Sequence, residues 1–121
     1  MSGVVRVKDG VAFTVIAPAG FRLLRAIDYV ADRLGLDLTI TSACDGEHSG
    51  PADPHHDGSA YDLRTHDLNA AQVQEVLHTL RSVLPSEQFF VLLESPGQEQ
   101  EHIHAQRRKG TVFPPPEGVK A

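Results

Sequence analysis

The stretch LLRAIDYVADRLGLDLTIT, residues 23–41, changes its hydrophobic period partway along. Leu23, Leu24, Ile27, Val30, Ala31 and Leu34 recur mostly at three- and four-residue steps, which is one face of a helix. Gly35 stands where a helix C-terminus takes a left-handed residue. After it, Leu36, Leu38 and Ile40 alternate with Asp37, Thr39 and Thr41, the period of a strand with one buried face. A helix passing directly into a strand argues for a mixed architecture.

On the N-terminal side, Val4–Val7 and Val11–Ile16 flank Lys8-Asp9-Gly10, a turn signal that predicts a small hairpin. On the C-terminal side, residues 42–58 form a long polar stretch holding Gly46, Gly50, Pro51, Pro54 and Gly58, with His48, His55 and His56. Loops of this length inside a compact domain are usually functional or disordered. Ala60-Tyr61-Asp62-Leu63-Arg64 reads as a short strand. A second helix starts at Asn69, a capping residue with Gln72 three positions on and Leu68 and Val73 spaced as a hydrophobic staple. Val73, Val76, Leu77, Leu80, Val83 and Leu84 form its apolar stripe, and Pro85 lies beyond its end. The apolar run Phe89–Leu93 predicts a buried central strand, and His102–Gln106 a last strand. The expected fold class is α+β: a small, largely antiparallel sheet with two helices packed on one side, in one domain over residues 1–121. The tail from about residue 112, with Pro114-Pro115-Pro116, is expected to be poorly ordered.

Composition narrows the function. Hydrophobic residues at 40% and charged residues at 22% are ordinary for a soluble globular chain. A net charge of −5 argues against a duplex nucleic-acid partner, which needs a basic stripe, and against docking on an acidic membrane. One cysteine, Cys44, excludes an intrachain disulfide and a multi-thiolate metal site. The start MSGVVRVKDG has no apolar core of a signal peptide, and no apolar run approaches the roughly 20 residues of a membrane span. The chain is expected to be made as a soluble cytoplasmic protein.

Among the seven histidines, His55 lies close to Asp62, while His102 and His104 flank Ile103. In a strand His102 and His104 share a face and Ile103 takes the other. Imidazole and carboxylate are good zinc ligands, and catalytic zinc commonly keeps three protein ligands and one water. The HExxH helix signature is absent.

His55-x-x-Gly58-x-Ala60-x-Asp62 followed by His102-x-His104 resembles the zinc D-alanyl-D-alanine metallopeptidases, whose wider group includes the lysostaphin-like endopeptidases and the hedgehog signalling domain. The likeness runs over about residues 40–106 and is closest to short phage-type members. It implies zinc held by His55, Asp62 and His104, and a peptide substrate such as the D-Ala-containing stems of peptidoglycan. It also implies a proton acceptor. Glu101, three before His104, ranks first, then His102, then Glu94 at the end of the preceding strand. Strand alternation turns Glu101 away from His104 unless the strand begins after it. The sequence departs from the family in carrying no arginine between Arg33 and Arg64. Arg64, His48 or Arg107 is a candidate to grip a substrate carboxylate in its place. A zinc-binding module of the same fold without catalysis is the alternative function.

Overall fold

The computed structural model describes residues 3–43, 58–111 and 113. It opens with a short strand, β1 (Val5–Val7), followed by helix α1 (Pro18–Leu34) and strand β2 (Leu38–Ser42). Strand β3 (Ala60–Arg64), helix α2 (Ala70–Val83), and strands β4 (Phe89–Glu94) and β5 (His102–Arg107) complete it. The five strands form one sheet in the order β1-β2-β3-β5-β4, antiparallel except for β1 against β2. This is the expected α+β class. The polar loop from 44 to 57, and with it His48 and His55, lies outside the described residues, as does the tail at 112 and 114–121.

Local chemistry explains both helices. Pro18 sits in the first turn of α1, where its missing N–H costs nothing and its fixed φ favours the helix. Gly35 ends it at φ 65°, and its N–H reaches the carbonyls of Ala31 and Asp32. At the start of α2 the Gln72 N–H donates to Asn69 Oδ1 (2.8 Å), while the Asn69 N–H donates to Gln72 Oε1 (2.9 Å). That reciprocal pair satisfies two donors that the helix start would otherwise leave orphaned. Both helices lie on one face of the sheet. There Leu23, Ile27, Val30, Val76 and Leu80 meet Ile40, Leu63, Val91 and Ile103 in one core.

Two expectations are corrected. No hairpin forms around Lys8-Asp9-Gly10. Gly10 does turn the chain at φ 88°, but β1 pairs in parallel with β2, which it reaches through α1 as the crossover. Within 11–16, which carry no strand, Val11 and Phe13 pack directly on the core, and the Phe13 ring lies 5.7 Å from Tyr61. Burial supplied the apolar alternation there without a ladder. The run Phe89–Leu93 is a strand, but an edge one rather than a central one, because β5 inserts between it and β3. Its residues alternate in burial, and Leu92 is 46% exposed.

A close approach sets where β3 begins. A side chain on Gly20 of α1 would run into the Gly58 carbonyl oxygen. That carbonyl also accepts from Tyr61 Oη at 2.7 Å, and Gly58 itself sits at φ 71°. Helix and strand therefore meet backbone to backbone just before the residues that carry the site. Gly20→Ala is expected to cost about 1–3 kcal/mol through overpacking, read as a fall in denaturant midpoint with unchanged slope.

The outer strand β1 is tied to the turn after α1 by Asp37, whose carboxylate accepts from the Val4 N–H (3.0 Å) and from Arg6 Nη2 (3.3 Å). The Val4 hydrogen bond, and after it Arg6, hold the Asp37 carboxyl below its ordinary pKa. A depressed folded value means this tie contributes above the unfolded pKa of about 4 and is lost as pH falls through the folded one. The Val4 amide signal should therefore titrate in NMR at a pH below that of exposed carboxylates, and Asp37→Asn should abolish that titration.

Candidate metal centre

The face of the sheet opposite the helices carries the polar cluster. The Arg107 N–H donates to the Ser59 carbonyl at 3.1 Å, which sets the alternation of the β3–β5 ladder. Counting from there, Asp62 and His104 form a non-hydrogen-bonded pair, the kind in which facing side chains come closest. His104 Nδ1 lies 2.8 Å from Asp62 Oδ1. The next row across the sheet is Arg64, His102 and Glu94. His102 Nε2 lies 3.4 Å from Glu94 Oε1 and 3.7 Å from Asp62 Oδ1, and His104 Nδ1 lies 3.5 Å from Glu94 Oε1. One ligand atom from each of Asp62, Glu94, His102 and His104 falls within 4.8 Å of the others. These four residues form a group able to hold a metal ion.

The donor set fits a divalent cation on three counts. Two imidazoles and two carboxylates are the ligand chemistry of zinc. Around a tetrahedral ion with bonds of about 2.0–2.1 Å, donor atoms lie about 3.4 Å apart. Three donor pairs, at 3.4, 3.5 and 3.7 Å, match that edge, and the His104–Asp62 pair at 2.8 Å is a direct hydrogen bond. The ring nitrogens are also oriented. His102 Nδ1 donates to the Gln100 carbonyl at 2.9 Å, so its lone pair at Nε2 faces the carboxylates. His104 Nε2 donates to Gln106 Oε1 at 2.7 Å, while the Gln106 amide nitrogen donates to the Arg107 carbonyl at 2.9 Å. The Gln106 oxygen is thereby held toward His104, and His104 turns Nδ1 to the cluster. Such outer hydrogen bonds fix the tautomer of metal-bound histidines.

Electrostatics agree with this arrangement. Burial, the largest single influence, pulls the His104 pKa down. The hydrogen bonds to Asp62 and Gln106, with the charges of Asp62 and Glu94, outweigh it and the net shift is upward. Exposure grades across the group, from 12% for the His104 side chain and 19% for Asp62 to 45% for Glu94. Glu94 therefore stands at the open side.

The structure brings Asp62, His102, His104 and Glu94 together, and His102 and His104 share a face as strand alternation requires, with Ile103 fully buried on the other. It does not bring Glu101 to them. β5 starts at His102, and the Glu101 carboxylate accepts from Thr65 Oγ1 (2.6 Å) and from the Gly97 N–H (2.7 Å). The Gly97 N–H, then Thr65, lower its pKa. Glu101 clasps the β4–β5 turn to the end of β3 and so holds the row that carries Glu94 and His102. Arg64 shares the face and row of His102, whereas Arg107 falls on the alternate set of β5. Sequence reasoning missed Gln106, although the period of two through His102, His104 and Gln106 carries it to the same face.

No family model, curated protein or solved structure matches the chain. No described helix is long and apolar enough to cross a membrane. Gln106→Leu is expected to weaken metal binding about 10- to 100-fold with the fold retained, because it frees the His104 ring to take the wrong tautomer. Calorimetric titration with zinc beside a circular dichroism spectrum checks both halves of that statement.

Proposed function

We propose that this chain is a zinc-dependent peptidase that hydrolyses short peptides, D-Ala-containing peptidoglycan stems among them. The observation that carries the reading is the convergence of Asp62, Glu94, His102 and His104 on one point of the sheet, with both rings already oriented. Asp62 and His104 act as ligands, and the resemblance to the D-alanyl-D-alanine metallopeptidases supplies His55 as the third. Bound zinc would supply a water acidified toward neutral pKa and would polarise the scissile carbonyl. Glu94 is the proton acceptor in this reading. Its carboxylate is the most exposed of the group, within 3.5 Å of both histidines, and carries no commitment like that of Glu101. It takes the proton of the attacking water and returns it to the leaving amine. His102, its ring set by Gln100 so that Nε2 faces the cluster, steadies the negative charge that develops on the carbonyl oxygen.

One observation favours a second reading. Four donors within 4.8 Å of one another can close a site and leave no position for water, which makes a structural zinc module. The two readings part at Glu94. For the peptidase, purified protein holds about one zinc per chain, His104→Ala loses it, and Glu94→Gln keeps it while cleavage of a D- and L-peptide panel falls about 100-fold or more. Glu101→Gln keeps most activity. For the closed module, Glu94→Gln loosens the zinc and the wild type cleaves nothing. Metal analysis and peptide-cleavage assays on the same preparations decide between them.

A further inference from the structure

β4 is the outermost strand on its side of the sheet. The Arg108 N–H donates to the Gln88 carbonyl at 2.7 Å, and the β4–β5 ladder alternates from that bond. Phe90, Leu92 and Glu94 therefore turn their main-chain groups toward β5, and Phe89, Val91 and Leu93 turn theirs outward. Part of that outward row is taken. The Phe89 N–H donates to the Pro85 carbonyl at 2.9 Å. The Val91 carbonyl accepts from Arg81 Nε at 3.0 Å and Nη2 at 2.7 Å. A charged side chain laid on an exposed edge is a common guard against unwanted pairing. The guard stops short of Leu93, whose N–H and carbonyl have no hydrogen-bond partner among the described residues.

The open position lies beside the metal centre. Glu94 follows Leu93 directly, with its carboxylate 3.4 Å from His102 and 3.5 Å from His104. Before it, Leu92 is 46% exposed and the Phe90 ring lies 6.0 Å from that of His104. A cavity of about 280 Å³ runs along the same edge, with Arg81, Phe90, Leu92 and Arg108 in its lining. The edge thus offers a peptide one doubly hydrogen-bonded position, an apolar wall on one side of it and a reactive carboxylate on the other.

We infer that the end of β4 is the substrate-binding strand: an extended peptide lies antiparallel to it, exchanges two main-chain hydrogen bonds with Leu93, and so sets its next peptide bond over Glu94, His102 and His104. This is strand addition, in which the backbone supplies affinity and neighbouring pockets supply preference. It rests on the peptidase reading for what happens to the bound peptide. The ligand class is a short extended peptide recognised mainly through its backbone, with an apolar side chain against Phe90 and Leu92. A second copy of the chain is the poorer occupant, because Arg81 leaves too short an open edge for a continuous ladder between two strands.

The test uses the full chain, ¹⁵N-labelled and zinc-loaded, titrated with acetyl-Ala-Ala-Ala-amide and with versions N-methylated at one amide each. The Leu93 amide should shift and exchange more slowly on binding. One N-methyl position, the residue opposite Leu93, should raise the dissociation constant about fivefold or more, and the others should change it little. Leu93→Pro removes an outward-facing N–H that an edge strand can spare, and should weaken binding by a similar factor at unchanged zinc content. Should that variant not fold, the N-methyl series on the wild type decides alone. Peptide binding that leaves Leu93 unmoved, N-methyl effects that are equal at every position, or a Leu93 shift that follows protein concentration without peptide would each overturn the inference. Cleavage with no response at Leu93 sinks this inference and leaves the peptidase reading standing. Capture at Leu93 without cleavage does the reverse.

Discussion

The contact between His104 Nδ1 and Asp62 Oδ1, 2.8 Å across the centre of the sheet, is the constraint to which the rest of the structure answers. A half-buried imidazole and carboxylate are costly unless each polar atom is satisfied. The surroundings meet that demand, with Gln106 on the far nitrogen of His104, Glu94 beside the near one and His102 beside Asp62. No buried side-chain polar atom among the described residues lacks a partner. The contact also reports the register. A slip of one residue between β3 and β5 would carry Asp62 to the helix face and Leu63 to the polar one. The core and the site are therefore specified by one alignment.

That alignment divides the sheet into two surfaces with different work. One buries Leu63, Val91, Ile103 and Ala105 under α1 and α2. The other gathers Asp62, His102, His104 and Glu94 on three adjacent strands, from the paired interior at β3 and β5 out to the edge at β4. The donors among the described residues sit on three strands, which suits groups that must stay within a few tenths of an ångström of one another. The Glu101 clasp and the Gly20–Gly58 approach act at the ends of these strands. They hold the termini of the rows whose middles carry the donors.

Several elements were legible because their causes are local. The Asn69–Gln72 capping box, the Gly35 stop and the β3 segment Ala60–Arg64 depend on neighbours within a few residues, and all three stand where the sequence places them. The shared face of His102 and His104 follows from strand alternation alone. The misreadings concern partners distant in sequence. Val11–Ile16 carries a strand-like alternation but packs without a ladder, since burial and pairing leave the same mark on a short apolar pattern. The run Phe89–Leu93 looks central because it is apolar throughout, yet it is an edge whose outer side chains cover the approach to the cluster.

By itself the sequence determined the α+β class, both helices, and a pair of strands bearing histidine and aspartate on one face. It could name candidate donors because residue type and a period of two are local properties. Only the tertiary structure decided which carboxylate joins them. Glu94 and Glu101 are both near His102 and His104 along the chain, but the antiparallel register sets Glu94 opposite His102 and sends Glu101 to Thr65 and Gly97. Register couples residues across the sheet through hydrogen bonds that no local pattern encodes. Asp62 and His104, expected from the sequence as donors, thus acquire Glu94 as a neighbour, beside the open edge at Leu93, from the order in which the strands lie.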